Sequence, residues 1–100
     1  MKMQRNITRR PTTPGEILSE EFLRPLGMTQ KKLAYHLGCD VKVVNRIVNG
    51  RTSVTAEMAL KLSATFRTSA EFWPNAQKAV DLYDARSHLR RLPEPLLAAS

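Results

Sequence analysis

Residues 33–50 read LAYHLGCDVKVVNRIVNG. A glycine and a cysteine separate two short runs of helical apolar spacing, Leu33-Ala34-Leu37 and Val44-Ile47-Val48. His36, Cys39 and Asp40 stand close in sequence, so the stretch is either a catalytic constellation or a scaffold that presents other side chains. The spacing favours the scaffold. Two short helices joined at Gly38-Cys39-Asp40 form a helix-turn-helix, with the motif spanning about residues 29–50. Ala34 is small because the next helix crosses close to it. Gly38 suits the positive φ that the turn requires. Leu33, Leu37, Val44 and Ile47 fill the wedge between the helices, and Cys39 tucks inward as a medium-sized apolar residue.

Catalysis finds little support. A thiolate nucleophile needs a base and an orienting group converging on it, and a cysteine packed into a turn is inert. One cysteine and two distant histidines, His36 and His88, fall short of a zinc site. The expectation is no enzyme, no metal and no cofactor.

What remains outward on the second helix of the motif is Val41, Lys42, Val43, Asn45, Arg46 and Asn49. Residues near the start of such a helix meet base edges in the DNA major groove. Arg46, four residues after Lys42 on the same face, suits guanine O6 and N7, and Lys42 suits guanine or a phosphate. Asn45 suits adenine or a phosphate, and Val41 and Val43 join the same surface, Val43 against a thymine methyl. Thr29, Gln30 and Lys31 open the first helix of the motif, where backbone N–H groups hold phosphate. Asn49 and Arg51 follow the second helix and suit backbone phosphates. The plain alternative for each is a solvated surface position.

Charge agrees with a nucleic-acid partner. The chain has 100 residues, a formal net charge of +7 and a pI near 10.2, which calls for an acidic partner surface. The excess is uneven. Lys2, Arg5, Arg9 and Arg10 occupy residues 1–13 without an acid, and Lys31, Lys32, Lys42, Arg46 and Arg51 surround the motif against Asp40 alone. Glu16, Glu20 and Glu21 make 14–24 acidic. The length suits one modest domain. No apolar run approaches the roughly 20 residues of a membrane span, no apolar segment follows the basic N-terminus as in a secretory signal, and one cysteine builds no internal disulfide. A cytoplasmic protein with no membrane contact and no small-molecule substrate is expected.

The rest of the chain reads as all-α, with five helices. Residues 1–12 form a basic, flexible arm. Thr13-Pro14-Gly15-Glu16 is a capping box with proline at the first helical position, followed by the stripe Ile17, Leu18, Phe22, Leu23. Pro25 and Gly27 end that helix near Arg24. Thr29, Asp40, Thr55 and Ser69 are N-caps of the later helices, and Gly38 and Gly50 are stops. Ala59, Leu62, Ser63 and Phe66 line the fourth helix. Phe72, Ala76, Val80 and Tyr83 line the fifth, at about 70–91, inside a domain of residues 13–91. Pro74 removes a hydrogen bond there, so the fifth helix either starts irregularly or starts at Pro74. Residues 92–100 are a mobile tail.

The segments PGEIL at 14–18, LSATF at 62–66, TSAEFW at 68–73 and NAQKAVDLYDA at 75–85 resemble the HigA-type antitoxins, also called the VapI group, of the lambda-repressor-like XRE superfamily. The resemblance covers about residues 13–86. It implies a five-helix domain, a homodimer and a palindromic operator in the promoter of the protein's own toxin–antitoxin pair. It also implies an autorepressor that neutralises a HigB-type partner, a small mRNA-cleaving RNase toxin. Pro74 stands where the family commonly has a larger apolar residue, and DVKVVNR departs from the family's usual recognition-helix start, so an operator sequence does not transfer.

In a two-fold dimer the recognition helices lie about 34 Å apart. Phe72, Trp73, Val80, Leu82 and Tyr83 offer the last helix a dimer face, since aromatics are enriched at interface cores. The competing reading, that they fill the domain's own core, stands beside it. Glu16, Glu20 and Glu21 offer a basic toxin an acidic face, or are ordinary solvated residues. Two other functions stay open: a stand-alone or phage-type regulator without a toxin, and a protein-interaction module with vestigial DNA binding.

Overall fold

In the computed structural model, residues 9–97 are described, and they form five helices and no strand. Helix α1 runs through Pro14–Ile17, Leu18–Leu23 and Arg24–Leu26 without a break; α2 is Gln30–Leu37, α3 Val41–Val48, α4 Ala56–Phe66 and α5 Phe72–His88. Most ends obey local chemistry. The capping box at Thr13 is complete: its Oγ1 accepts from the Glu16 N–H at 3.0 Å, and its own N–H donates to Glu16 Oε1 at 2.8 Å. Thr29 caps α2 and Thr55 caps α4 through N–H groups three residues on. Gly27, Gly38 and Gly50 end α1, α2 and α3 with positive φ. At the middle one, Gly38 N–H donates to Tyr35 O and Cys39 N–H to Ala34 O, closing a Schellman turn.

Three expectations change. First, α1 does not stop at Arg24. It continues to Leu26, and Leu18–Leu23 is π-helical, with Arg24 N–H donating five residues back to Ser19 O. Pro25 accounts for this: in an α-helix its ring crowds the carbonyl four residues back, and a widened turn relieves the crowding. Second, α5 begins at Phe72, and Pro74 is its third residue. A helix's first N–H groups have no internal acceptor, so Pro74 forfeits nothing. Ser69 caps the turn before α5, accepting from Phe72 N–H at 3.1 Å, while α5 itself has no side-chain cap and ends at His88 rather than 91.

Third, the chain before α1 is partly tied down. Arg10 meets Asp84 of α5 in a two-pronged pair, Nε to Oδ1 at 3.0 Å and Nη2 to Oδ2 at 2.9 Å. The hydrogen bond from Arg10 holds Asp84 below its ordinary pKa. The contact therefore contributes stability above the ordinary carboxylate range and loses it as pH falls through the lowered pKa of Asp84. Residues 1–8 and 98–100, and with them most of the expected arm and the end of the tail, lie outside the described residues.

The core gathers Leu18, Leu23, Leu33, Ala34, Leu37, Val44, Ile47, Val54, Met58, Ala59, Leu62 and Trp73. Trp73 is fully buried, and its Nε1–H donates to Thr68 Oγ1 at 3.0 Å. Phe22 and Phe72 lie with ring centroids 5.7 and 5.0 Å from it. Val80 is also buried. Trp73 and Val80 thus belong to the chain's own core, because α5 must close the wedge left between α1 and α4. Phe72 and Tyr83 are half-buried, and Leu82 stays exposed.

Candidate DNA interface

The α2–α3 pair sets the interface. Val44 and Ile47 turn inward from α3 and Leu33, Ala34 and Leu37 from α2, which leaves Val41, Lys42, Asn45 and Arg46 exposed on α3, with Asn49 exposed at its C-cap. A carboxylate oxygen of Asp40 accepts from the Lys42 N–H at 2.8 Å and fixes the start of α3. Thr29 is bonded to the Lys32 N–H. The N–H groups of Gln30 and Lys31, in the first turn of α2, have no intrahelical acceptor, the arrangement that suits an anion.

An amide chain crosses from α2 to α3. Asn45 Nδ2–H donates to Gln30 Oε1 at 3.1 Å, and Asn49 Nδ2–H donates to Asn45 Oδ1 at 3.2 Å. Asn45 is engaged at both ends and ties α3 to α2, which leaves its amide less free than an isolated surface asparagine's. Gln30, whose oxygen it holds, keeps its NH2 group open. Val43 corrects a second expectation: it is half-buried against the core, and Val41 is the exposed valine. In operator titrations Asn45→Ala is expected to weaken binding by about 1 kcal/mol, one net hydrogen bond, with melting temperature nearly unchanged. Unchanged affinity would deny the amide chain any role.

The interface cations are uncompensated. The described ion pairs are Arg10–Asp84, Arg24–Glu20 and Lys61–Glu57; none draws on Lys31, Lys32, Lys42, Arg46 or Arg51. The acidic face is less free than the sequence implies. Glu16 closes the capping box and Glu20 faces Arg24 at 3.0 Å, leaving Glu21 as the open carboxylate among the three. His36 is exposed, Cys39 is half-buried against the core and Asp40 is engaged as a cap. Among the described residues no group of three His, Cys, Asp or Glu side chains can hold a metal ion.

Residues 20–73 match the family model described as helix-turn-helix. Antitoxin HigA-1 of Vibrio cholerae is 45% identical over 83 residues, covering 83% of this chain and 78% of that protein. The chain belongs to the HigA-type group of the helix-turn-helix family. An uncharacterized HTH-type transcriptional regulator of Haemophilus influenzae is 43% identical over 90 residues, covering 90% of this chain and 83% of that protein. A solved structure of Pseudomonas aeruginosa antitoxin HigA with the higBA promoter superposes with a TM-score of 0.80 at 38% identity, covering 88% of this chain and all of that one. In this HigA-type chain the turn at Gly38 and the helix after it occupy the middle of the matched segment. No helix among the described residues is long and apolar enough to cross a membrane.

Proposed function

We propose that this HigA-type chain is the antitoxin and transcriptional autorepressor of a type II toxin–antitoxin pair. As a homodimer it binds a palindromic operator, and it neutralises a HigB-type mRNA-cleaving toxin. The observation that carries DNA binding is the exposed α3 face with its unpaired cations, beside the open N–H groups at the start of α2. Arg46 and Gln30 read bases, with Val41 against a thymine methyl. Lys31, Lys42, Asn49 and Arg51 take phosphates. The relationship to antitoxin HigA-1 and to the promoter-bound HigA supports the rest. Glu21 on α1 is the carboxylate best placed for a basic toxin. The regulator relative in Haemophilus influenzae favours a second reading, a repressor without a toxin.

Arg46→Ala is expected to weaken operator binding by about 1–3 kcal/mol and to relax preference at one base pair, while toxin neutralisation persists. Lys42→Ala, as a phosphate contact, lowers the slope of log affinity against log salt by about 1. Footprinting titrations at several salt concentrations measure both, and unchanged affinity for Arg46→Ala removes α3 from the recognition role. Co-expression with a neighbouring small basic gene, followed by co-purification and growth rescue, separates the antitoxin from the stand-alone regulator.

A further inference from the structure

The chain after α5 exposes apolar surface that no other described residue covers. Beyond α5, Leu89, Leu92, Leu96 and Leu97 stand on a non-helical segment, and Leu92, Leu96 and Leu97 are 70%, 99% and 84% exposed. Pro93 and Pro95 stiffen that segment toward an extended form and remove two N–H groups that would need partners on burial. At the opposite end of α5 lies an apolar groove of about 220 Å³, lined by Ala56, Ala59, Leu60, Ala70, Glu71 and Pro74. Leu60, at its edge, is 60% exposed.

The groove and the segment match in charge as well as in polarity. Glu71 stands at the groove without an ion-pair partner among the described residues, and Arg90 and Arg91 precede Leu92, also without one. Within one chain they do not meet. Pro74 lies about 22 Å back along α5 from Leu89, whereas the three residues from Leu89 to Leu92 span only about 10 Å. A second copy with its α5 antiparallel to the first removes that gap, and the two-fold axis makes the contact twice.

From this we infer that the segment Arg90–Leu96 of each protomer docks in the α4–α5 groove of a second copy of this chain, Leu92 seated beside Leu60 and the arginines facing Glu71. The inference rests on the homodimer of the proposed function and adds to it an exchanged C-terminal strap.

Full-length Leu92→Ser/Leu96→Ser tests it by sedimentation, with dimerisation expected at least tenfold weaker. Its secondary structure should persist, since both leucines lie outside the core. Mixing the Leu60→Cys chain with the Leu92→Cys chain and oxidising should give a disulfide-linked dimer whose joined peptides contain positions 60 and 92. Unchanged dimerisation of the serine variant overturns the inference. So does a 60–92 link found only inside single chains of a Leu60→Cys/Leu92→Cys double variant, or loss of toxin neutralisation with dimerisation intact, which assigns the segment to the toxin. If the unaltered chain sediments as a monomer, alone and on operator DNA, the dimer reading itself fails.

Discussion

Trp73→Ala is expected to cost about 4 kcal/mol of folding stability, a large share of the roughly 5–15 kcal/mol that holds a small domain together. The indole is fully buried, packs against Phe22 and Phe72, and bonds Thr68 through its N–H. Alanine forfeits the ring's transfer energy, leaves a cavity between α1, α4 and α5, and removes the indole N–H bond to Thr68, whose hydroxyl keeps only its own bond to the Ser69 carbonyl. Trp73→Phe keeps most of the apolar contact, loses the hydrogen bond and should cost about 1–2 kcal/mol. Because Trp73 is the single tryptophan, its fluorescence follows unfolding of the unaltered protein, and circular dichroism in urea serves both variants. The sign of the result is diagnostic for the dimer as well. A Trp73→Ala chain that stays folded but no longer dimerises would return Trp73 to the interface and contradict the burial described above.

Trp73 also marks where sequence reasoning stops. Helix ends follow local rules, so Thr13, Thr29, Asp40 and Thr55 were legible as caps, and Gly38 as the turn, because each bond lies within two to four residues. The inward stripe of α3 was legible for the same reason: Val44 and Ile47 are three apart, and the residues between them must face out. What pairs across the fold was not. The Asn45–Gln30 bond spans 15 positions and the Arg10–Asp84 pair 74, and neither leaves a periodic trace. Val54 sits in a loop, where no periodicity marks it, and Met58 stands just ahead of the Ala59–Phe66 stripe, four residues before Leu62 on the same helical face; both are buried. Arg67 ends α4 at φ 60°, a place where glycine would have announced the stop. The outward residues of α3 were therefore readable as a list, but the Asn45–Gln30 bond and the half-burial of Val43 needed the packing.

The glycine in PGEIL carries the largest consequence for that interface. Gly15 is buried where α1 crosses the end of α3. A Cβ there would run into the Ile47 carbonyl oxygen and stand 2.7 Å from Val48 O and 2.9 Å from Val48 C. All three are backbone atoms, so no side-chain rotation relieves the clash, and α3 itself must move. In an open helix Gly→Ala is favourable by about 0.5–1 kcal/mol. Here the overpacking term opposes it, at the upper end of the usual 1–3 kcal/mol or beyond. Gly15→Ala is thus expected to lose about 3 kcal/mol, a melting-temperature drop of roughly 12–24 °C for a domain of this size. The chain that remains folded should bind operator at least tenfold more weakly, because Lys42 and Arg46 ride on the displaced helix and base contacts tolerate little misplacement. Thermal melts by circular dichroism, with operator titrations well below the melting point, read the two effects separately. A rise in melting temperature would show that α1 and α3 stand farther apart than described. Lost stability with operator affinity intact would show that α1, and not the recognition helix, yields to the added methyl group.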